Sequence, residues 1–342
     1  MRLSRTQKAI QSEELPHAIT ALVRRADGTV DTLVDEDGLT TALGSDAGML
    51  WVDLDVADPA QARILKDVFH FHPLAIEDAL NPSSRVKVDE YPTFLVVIAR
   101  VVAFVESTAD PYDLETTNLT VFVTKNAVVT AHRECVPAVD TLIAGLKGNT
   151  DLLARGPGRV AHYILDSAVD AYFPVLDRLD EFVDELEERV FGQFDEEVLQ
   201  EIFRVKRLVI TLRRYLAPQR EVLSELTMRP STFLSTDAQL YFRDVYDHML
   251  RITDSLDNYR DLLSSTLDAY LTQVSNRLGL VSKGLALVGA LSVPFVVVAG
   301  VYGMNFEHIP LQHHPYGFEI MVAIQAVIAL VFLAVLRWRK ML

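Results

Sequence analysis

Cysteine, positive charge and phosphate-binding loops are scarce in this chain of 342 residues. The one cysteine, Cys135, has no partner for an intrachain disulfide, and no cysteine pair exists to build a zinc cage. Lys and Arg number 32 against 47 Asp and Glu, a net charge of −15. So acidic a chain argues against a nucleic-acid partner and suits a surface that collects cations. No Walker-type glycine loop is present to bind a nucleotide as energy source. No nucleophile–base set marks an enzyme. The stretch Met1-Arg2-Leu3-Ser4-Arg5 is polar, unlike a secretion signal, and the bulk of the protein is expected in the cytoplasm.

Long apolar runs are what the chain does have. Mean hydropathy is +0.19 although 23% of residues are charged. The excess lies near the C-terminus. Gly284 to Phe306 contains no charge, and its roughly 23 positions make about 34 Å of helix, enough to cross about 30 Å of hydrocarbon. Ile320 to Leu336 is a second uncharged run of about 17 residues, at the short end of the spanning range, with Gln325 its one strongly polar residue. Arg277 and Lys283 precede the first run, Arg337, Arg339 and Lys340 follow the second, and the stretch from Glu307 to Glu319 has no Lys or Arg. The positive-inside rule places both termini in the cytoplasm of a multi-pass protein of the cell membrane, with the connecting loop outside. Pro294 predicts a bend in the first span. Gly284, Gly289, Gly300, Ala286, Ala290 and Ala299 allow close helix approach. Two helices cannot enclose a conduction path, so a pore requires an oligomer with the first span at its symmetry axis.

The expected fold class is α+β. Residues 1–158 read as a cytoplasmic α/β domain. Leu50 to Asp55 alternates like a strand, Thr93 to Val105 is apolar and β-branched, and Lys125-Asn126 sits between Leu119–Val123 and Ala127–Thr130 like a hairpin turn. Ala60 to Phe69 and Pro73 to Leu80 have helical spacing, with His70 and His72 taken as packing or turn residues. Residues 159–282 read as a helical bundle. Arg159 to Phe191 and Asp195 to about Leu226 are helical, with a turn near Gly192 and a break at Pro230. Proline and glycine are then absent from Ser231 to Leu278. Phe242, Val245, Met249, Ile252, Leu256, Tyr259, Leu263, Leu267, Tyr270, Val274 and Leu278 step by three or four along it. A stalk helix from about 237 running into the membrane would be about 100 Å long. Spans follow at 283–306 and 320–337, separated by a loop at 307–319 and closed by a basic tail at 338–342. Asp180, Glu181, Asp184, Glu185, Glu187 and Glu188 form either a cation-concentrating band or an ordinary solvated helix face.

Tyr302-Gly303-Met304-Asn305 after an apolar span holding Pro294, continued by Phe306-Glu307, resembles the CorA family of divalent-cation channels, the two-span Gly-Met-Asn type. Tyr241 to His248 is similar to the family's long-helix segment, and His72 to Asn81 with Arg85-Val86-Lys87 to its N-terminal segment. The resemblance covers roughly residues 45–342. It implies a homopentamer with a funnel-shaped cytoplasmic domain, a lipid bilayer around the spans, and passive Mg2+ entry closed by internal Mg2+, with Co2+ and Ni2+ as further cargo. It makes Gly303, Met304 and Asn305 the selectivity filter. It maps a shared regulatory Mg2+ site onto Asp78 of one subunit and Asp244 of its neighbour, with Glu77 and Asp247 nearby.

The chemistry agrees with that implication. Mg2+ sheds water reluctantly. Neutral amide oxygens in a ring of Asn305 side chains can accept hydrogen bonds from the ion's own waters, where a carboxylate ring risks holding it too tightly. A plain helix-end role for Asn305 is the alternative. By helical phase Leu285, Gly289, Val293, Val296 and Gly300 line a largely apolar pore, where dewetting is available as a means of closure. Gly279, Val293 and Val296 stand where the family often has Asn, Met and Thr. Glu307 is left as the main outer attractor, because Leu311 follows Pro310 where the family carries a second acid. His308, His313 and His314 crowd the outer loop, and imidazole favours Zn2+, Ni2+ or Co2+. A transporter of Zn2+ or another transition ion is therefore the second reading.

Overall fold

A computed structural model of the chain describes residues 19–33, 35–44, 48–105, 108–133, 144–145, 151–192, 195, 197–304, 310–311 and 313–339. It divides into two compact units, Met1–Thr266 and Leu267–Leu342.

The first unit is built on a seven-stranded sheet in the order β2-β1-β3-β7-β6-β5-β4. The strands are β1 (Thr20–Arg24), β2 (Val30–Leu33), β3 (Met49–Asp55), β4 (Lys87–Glu90), β5 (Leu95–Phe104), β6 (Leu114–Val123) and β7 (Ala127–His132). Only β3 and β7 pair in parallel; the other pairs are antiparallel. The hairpin at Lys125-Asn126 forms as expected, its strands in register from Val123↔Val128 to Thr120↔Ala131. The alternation in β3 does not mark a half-exposed strand, because Met49 to Leu54 are all buried. Leu50, Val52 and Leu54 face one core, and Met49, Trp51 and Asp53 turn to the other side, which is covered too. Asp53 survives there by pairing across the parallel ladder. Thr130 Oγ1 donates to its Oδ1 at 2.5 Å, and His132 Nε2 lies 3.1 Å from its Oδ2.

Helices α1 (Glu36–Gly44), α2 (Pro59–Asp67) and α3 (Pro73–Leu80) pack against the first core. Both α2 and α3 start where the sequence signals a start. Asp58 accepts from the Ala60 amide at 2.8 Å with Pro59 following, and His72 Nδ1 accepts from the Leu74 amide at 3.3 Å with Pro73 following. His72 is thus a cap. His70 holds a left-handed turn at φ 53°, its Nδ1 2.9 Å from the Lys66 carbonyl. Ala75 and Ala79 are buried one turn apart, which leaves Glu77 exposed and Asp78 half-exposed on α3. Stacked Phe71 and Phe122, with ring centroids 4.3 Å apart, and Phe94 at 4.7 Å from Phe71 fix the loop that enters α3.

The helical part comprises α4 (Asp151–Ala154), α5 (Pro157–Asp170), α6 (Phe173–Phe191), α7 (Val198–Met228) and α8 (Thr236–Tyr302). The helical run read from Arg159 to Phe191 is two helices. Pro174 cannot donate within the turn and sits at the start of α6. The break is locked by the buried Tyr172, whose hydroxyl donates to the Arg100 carbonyl at 2.7 Å and accepts from Gln219 Nε2 at 2.8 Å. Gln219 Oε1 in turn accepts from the Arg100 amide at 2.9 Å. One amide side chain of α7 therefore ties a helix junction to β5. On α6 the residues Leu179, Val183, Leu186 and Val190 are buried while Asp180, Glu181, Asp184, Glu185 and Glu188 are exposed, the pattern of a solvated acidic face. In α8 the stripe Phe242, Val245, Met249, Ile252, Leu256, Leu263 and Tyr270 is buried as expected, but Leu278 is 62% exposed.

Removing the lock is expected to be costly. Tyr172→Phe leaves the buried Gln219 amide without its acceptor, a loss of about 1–3 kcal/mol. A lowered unfolding midpoint in detergent is the expected readout, and an unchanged midpoint would mean that the junction is held by packing alone.

Candidate metal sites and transport path

The second unit holds two helices long and apolar enough to cross a membrane, the distal part of α8 and α9 (Gly317–Trp338). Each has one half-buried stripe. On α8 it is Leu287, Leu291, Pro294, Val298 and Tyr302. On α9 it is Ile320, Met321, Gln325, Ala329, Phe332, Leu333 and Leu336, so the single strongly polar side chain of this span lies on the covered side. The positions expected to line a pore are Leu285, Gly289, Val293, Val296 and Gly300. All are exposed, Leu285 at 69%, Val293 at 58% and Val296 at 67%. At 100° per residue this face points about 180° away from the half-buried stripe of α8.

Helix α8 stays helical through Pro294 and ends at Tyr302. The Gly303 amide still donates to the Ala299 carbonyl at 2.9 Å, and a Cβ at 303 would lie 3.2 Å from that oxygen. Met304 follows in a turn and is 54% exposed. Asn305, Glu307 and His308 lie outside the described residues. Tyr302 Oη donates to the Pro310 carbonyl at 2.7 Å and so ties the segment between the two apolar helices to the end of α8. His314 Nδ1 accepts from the Tyr316 amide at 3.2 Å, a turn role for that imidazole.

Among the described residues of the first unit, two carboxylate groups include residues expected from the sequence, Asp78 in one and Asp244 at the edge of the other. At the first, Lys87 Nζ lies 2.7 Å from Asp78 Oδ2 and 2.7 Å from Asp89 Oδ2, and Ser84 Oγ donates to Asp78 Oδ1 at 3.4 Å. Burial alone would lower the Lys87 pKa, yet its hydrogen bonds to Asp78 and Asp89 hold it well above the ordinary lysine value. Glu77, Glu90 and Arg229 line the same shallow cavity.

At the second, Asp244 and Asp247 are exposed on α8, and Asp244 Oδ2 lies 3.8 Å from His248 Nε2. His248 Nδ1 is 3.2 Å from Asp170 Oδ1 and 3.9 Å from Asp166 Oδ1 on α5. One ligand atom from each of Asp166, Asp170 and His248 falls within 4.8 Å of the other two. Asp166 Oδ1 is buried and accepts no hydrogen bond. Burial, then the charge of Asp170, pushes the Asp166 pKa up to about 6; Asp244 adds to the rise, and His248 and Arg159 oppose it. Two carboxylates and an imidazole with an unsatisfied oxygen fit a divalent cation, the imidazole favouring Co2+ or Zn2+ over Mg2+. Sequence reasoning reached Asp244 and missed Asp166, Asp170 and His248. Their signal is the four-residue spacing of Asp166 and Asp170 on one helix and of Asp244 and His248 on another. Within the chain Asp78 and Asp244 take different partners, Lys87 and His248.

The raised Asp166 pKa has a signed consequence. A carboxyl whose folded pKa is about 6 against 3.8 unfolded contributes stability below pH 3.8, and that contribution is lost as pH rises through about 6. In protein stripped of divalent ions, Asp166→Asn should raise the unfolding midpoint at about pH 8 and leave it unchanged at about pH 4. Equal shifts at both would mean that Asp166 ionises freely.

The CorA-like Mg2+ transporter family model matches residues 46–339. A cobalt/magnesium transport protein CorA of Thermotoga maritima is 31% identical over 277 residues, 81% of this chain and 78% of that protein. A zinc transport protein ZntB of Pectobacterium carotovorum is 26% identical over 78% of this chain and 80% of that protein. The solved structure of a CorA magnesium transporter from Methanocaldococcus jannaschii superposes with a TM-score of 0.81 at 22% identity, covering 94% of this chain and 97% of that one. Its fold is the one described above: an α/β soluble domain, a long helix and two C-terminal apolar helices. The Gly303-Met304 turn at the end of an apolar helix and this match over most of the chain identify it as a member of the CorA family, a divalent metal-ion transporter of the membrane and not of an enzyme class.

Proposed function

We propose that the chain forms a passive, potential-driven Mg2+ channel gated by internal Mg2+. The observation that carries this reading is the phase of α8: the face bearing Leu285, Gly289, Val293, Val296 and Gly300 is free, and the covered stripe lies on the opposite side. A helix covered behind and bare in front suits a ring of copies around an axis, and a homopentamer is the assembly proposed. Both termini are cytoplasmic, residues 1–158 and 159–282 form the cytoplasmic part, and 283–306 and 320–337 span the membrane. Glu307 attracts the cation outside. The ring of Asn305 receives it with its water shell, after Gly303 and Met304 have turned the chain at the pore mouth. A divalent ion crossing 100 mV of inside-negative potential gains about 4.6 kcal/mol, so no nucleotide is required.

Closure is assigned to the carboxylates. Asp78 of one copy and Asp244 of the next share an internal cation, with Glu77 and Asp247 beside them, and Asp166, Asp170 and His248 extend the site around Asp244. Empty, these acids repel; bridged, they hold the copies together. Because α8 carries both Asp244 and the pore face, loosening at one end has a continuous helix to act on.

The second reading, transport of Zn2+ or another transition ion, is favoured by His248 among the candidate ligands and by the zinc-transporting relative. Flux into liposomes with Mg2+, Co2+ and Zn2+ in separate runs decides between them. Mg2+ entry with little Zn2+ entry is expected; the reverse would install the second reading. Asn305→Ala should abolish selective Mg2+ uptake while the oligomer stays assembled, and normal uptake would remove the filter. Asp244→Lys should weaken inhibition by internal Mg2+, and an unchanged inhibition curve would remove the sensor.

A further inference from the structure

We infer that Lys87 is a tethered competitor of the regulatory cation at Asp78, with Asp89 as its resting partner while the ion is bound. This deepens the sensor role of Asp78 and rests on it. The Lys87 ammonium bridges two carboxylates at 2.7 Å each, which is the task a divalent ion would perform there. A hexacoordinate Mg2+ approaching Asp78 meets a positive charge already in place and must displace it or bind against its repulsion. The backbone of Lys87 is fixed, since β4 pairs with β5 through Lys87↔Ile98. The side chain is 36% exposed and has a four-carbon stem, so the ammonium can leave Asp78 without moving the strand. Asp89, two residues along the same strand, keeps one of its contacts when it does. Of the remaining acids at this cavity, Glu77 and Glu90 make no ion pair with Lys87, and the second cation there, Arg229, is paired with Glu225. Lys87 therefore sets how much internal cation is needed to occupy Asp78, without being a ligand itself.

Two substitutions should move the sensor in opposite directions. Lys87→Met removes the competitor, and the internal Mg2+ giving half-inhibition of liposome uptake should fall about three- to fivefold. Asp89→Asn removes the resting partner, leaves Lys87 to Asp78 alone, and should raise that concentration. Lys87→Arg keeps the charge and should stay close to the parent. All are measured on the full-length protein, with elution volume and unfolding midpoint as checks on assembly. Asp78→Asn is run beside them. If it weakens inhibition while Lys87→Met leaves the half-inhibitory concentration unchanged or raises it, the competitor role fails and the sensor stands. If Asp78→Asn leaves inhibition unchanged, the sensor at Asp78 fails and the role of Lys87 falls with it. If Lys87→Met does not assemble, the sign of the Asp89→Asn shift decides.

Discussion

Carboxylates brought together in the first unit repel one another, and what relieves that repulsion organises this part of the chain. At Asp78 and Asp89 the relief is an ammonium from the same strand. At Asp166, Asp170 and Asp244 it is weaker: a histidine whose charge depends on protonation, with Arg159 acting from a distance. The Arg159 guanidinium is already committed to the Tyr241 ring, 3.1 Å from its centroid. The second group is thus under-neutralised, and burial with the charge of Asp170 pushes the pKa of its Asp166 carboxyl up to about 6. A protein built only for stability would be expected to replace such a group by apolar residues. Its retention between α5 and α8 is understandable if a cation completes it.

Helix α8 gives this local electrostatics its reach. From Thr236 to Tyr302 it is one element, and it carries Asp244 and His248 near one end and the apolar run at the other. Its buried stripe changes along its length: continuous from Phe242 to Leu263, partial to Tyr270, then gone by Leu278. Beyond it, among the described residues, only a half-buried stripe from Leu287 to Tyr302 is covered.

Local signals made much of this legible. Asp58-Pro59 and His72-Pro73 start helices because a capping side chain and a proline satisfy the orphan amides of the first turn. The hairpin at Lys125-Asn126 and the absence of helix breakers after Pro230 are equally local. The parallel pairing of β3 with β7 was not legible, because paired residues such as Leu50 and Ala127 are 77 positions apart and each strand is merely apolar. The junction at Tyr172 was not read: the helical spacing runs on from Arg159 to Phe191, and the hydroxyl–amide lock that breaks it joins three distant segments. The same limit hid the Asp166–His248 group. Two four-residue spacings are visible in the sequence; that they face each other is a property of the fold.

The glycines of the apolar helix bear on the same question. An added Cβ at Gly279, Gly284, Gly289 or Gly300 would meet nothing within 4 Å. Each costs the helix about 1 kcal/mol relative to alanine. No contact among the described residues requires them, in contrast to Gly317, where a Cβ would lie 2.3 Å from the Leu311 carbonyl. Gly289 and Gly300 fall on the exposed face with Leu285, Val293 and Val296, and Gly303 closes the helix just beyond. A repeated cost on one face, with no return from the chain's own packing, is explained if that face meets something outside the chain. Close approach of a neighbouring helix is such a return, and the positions without a side chain are where it is available.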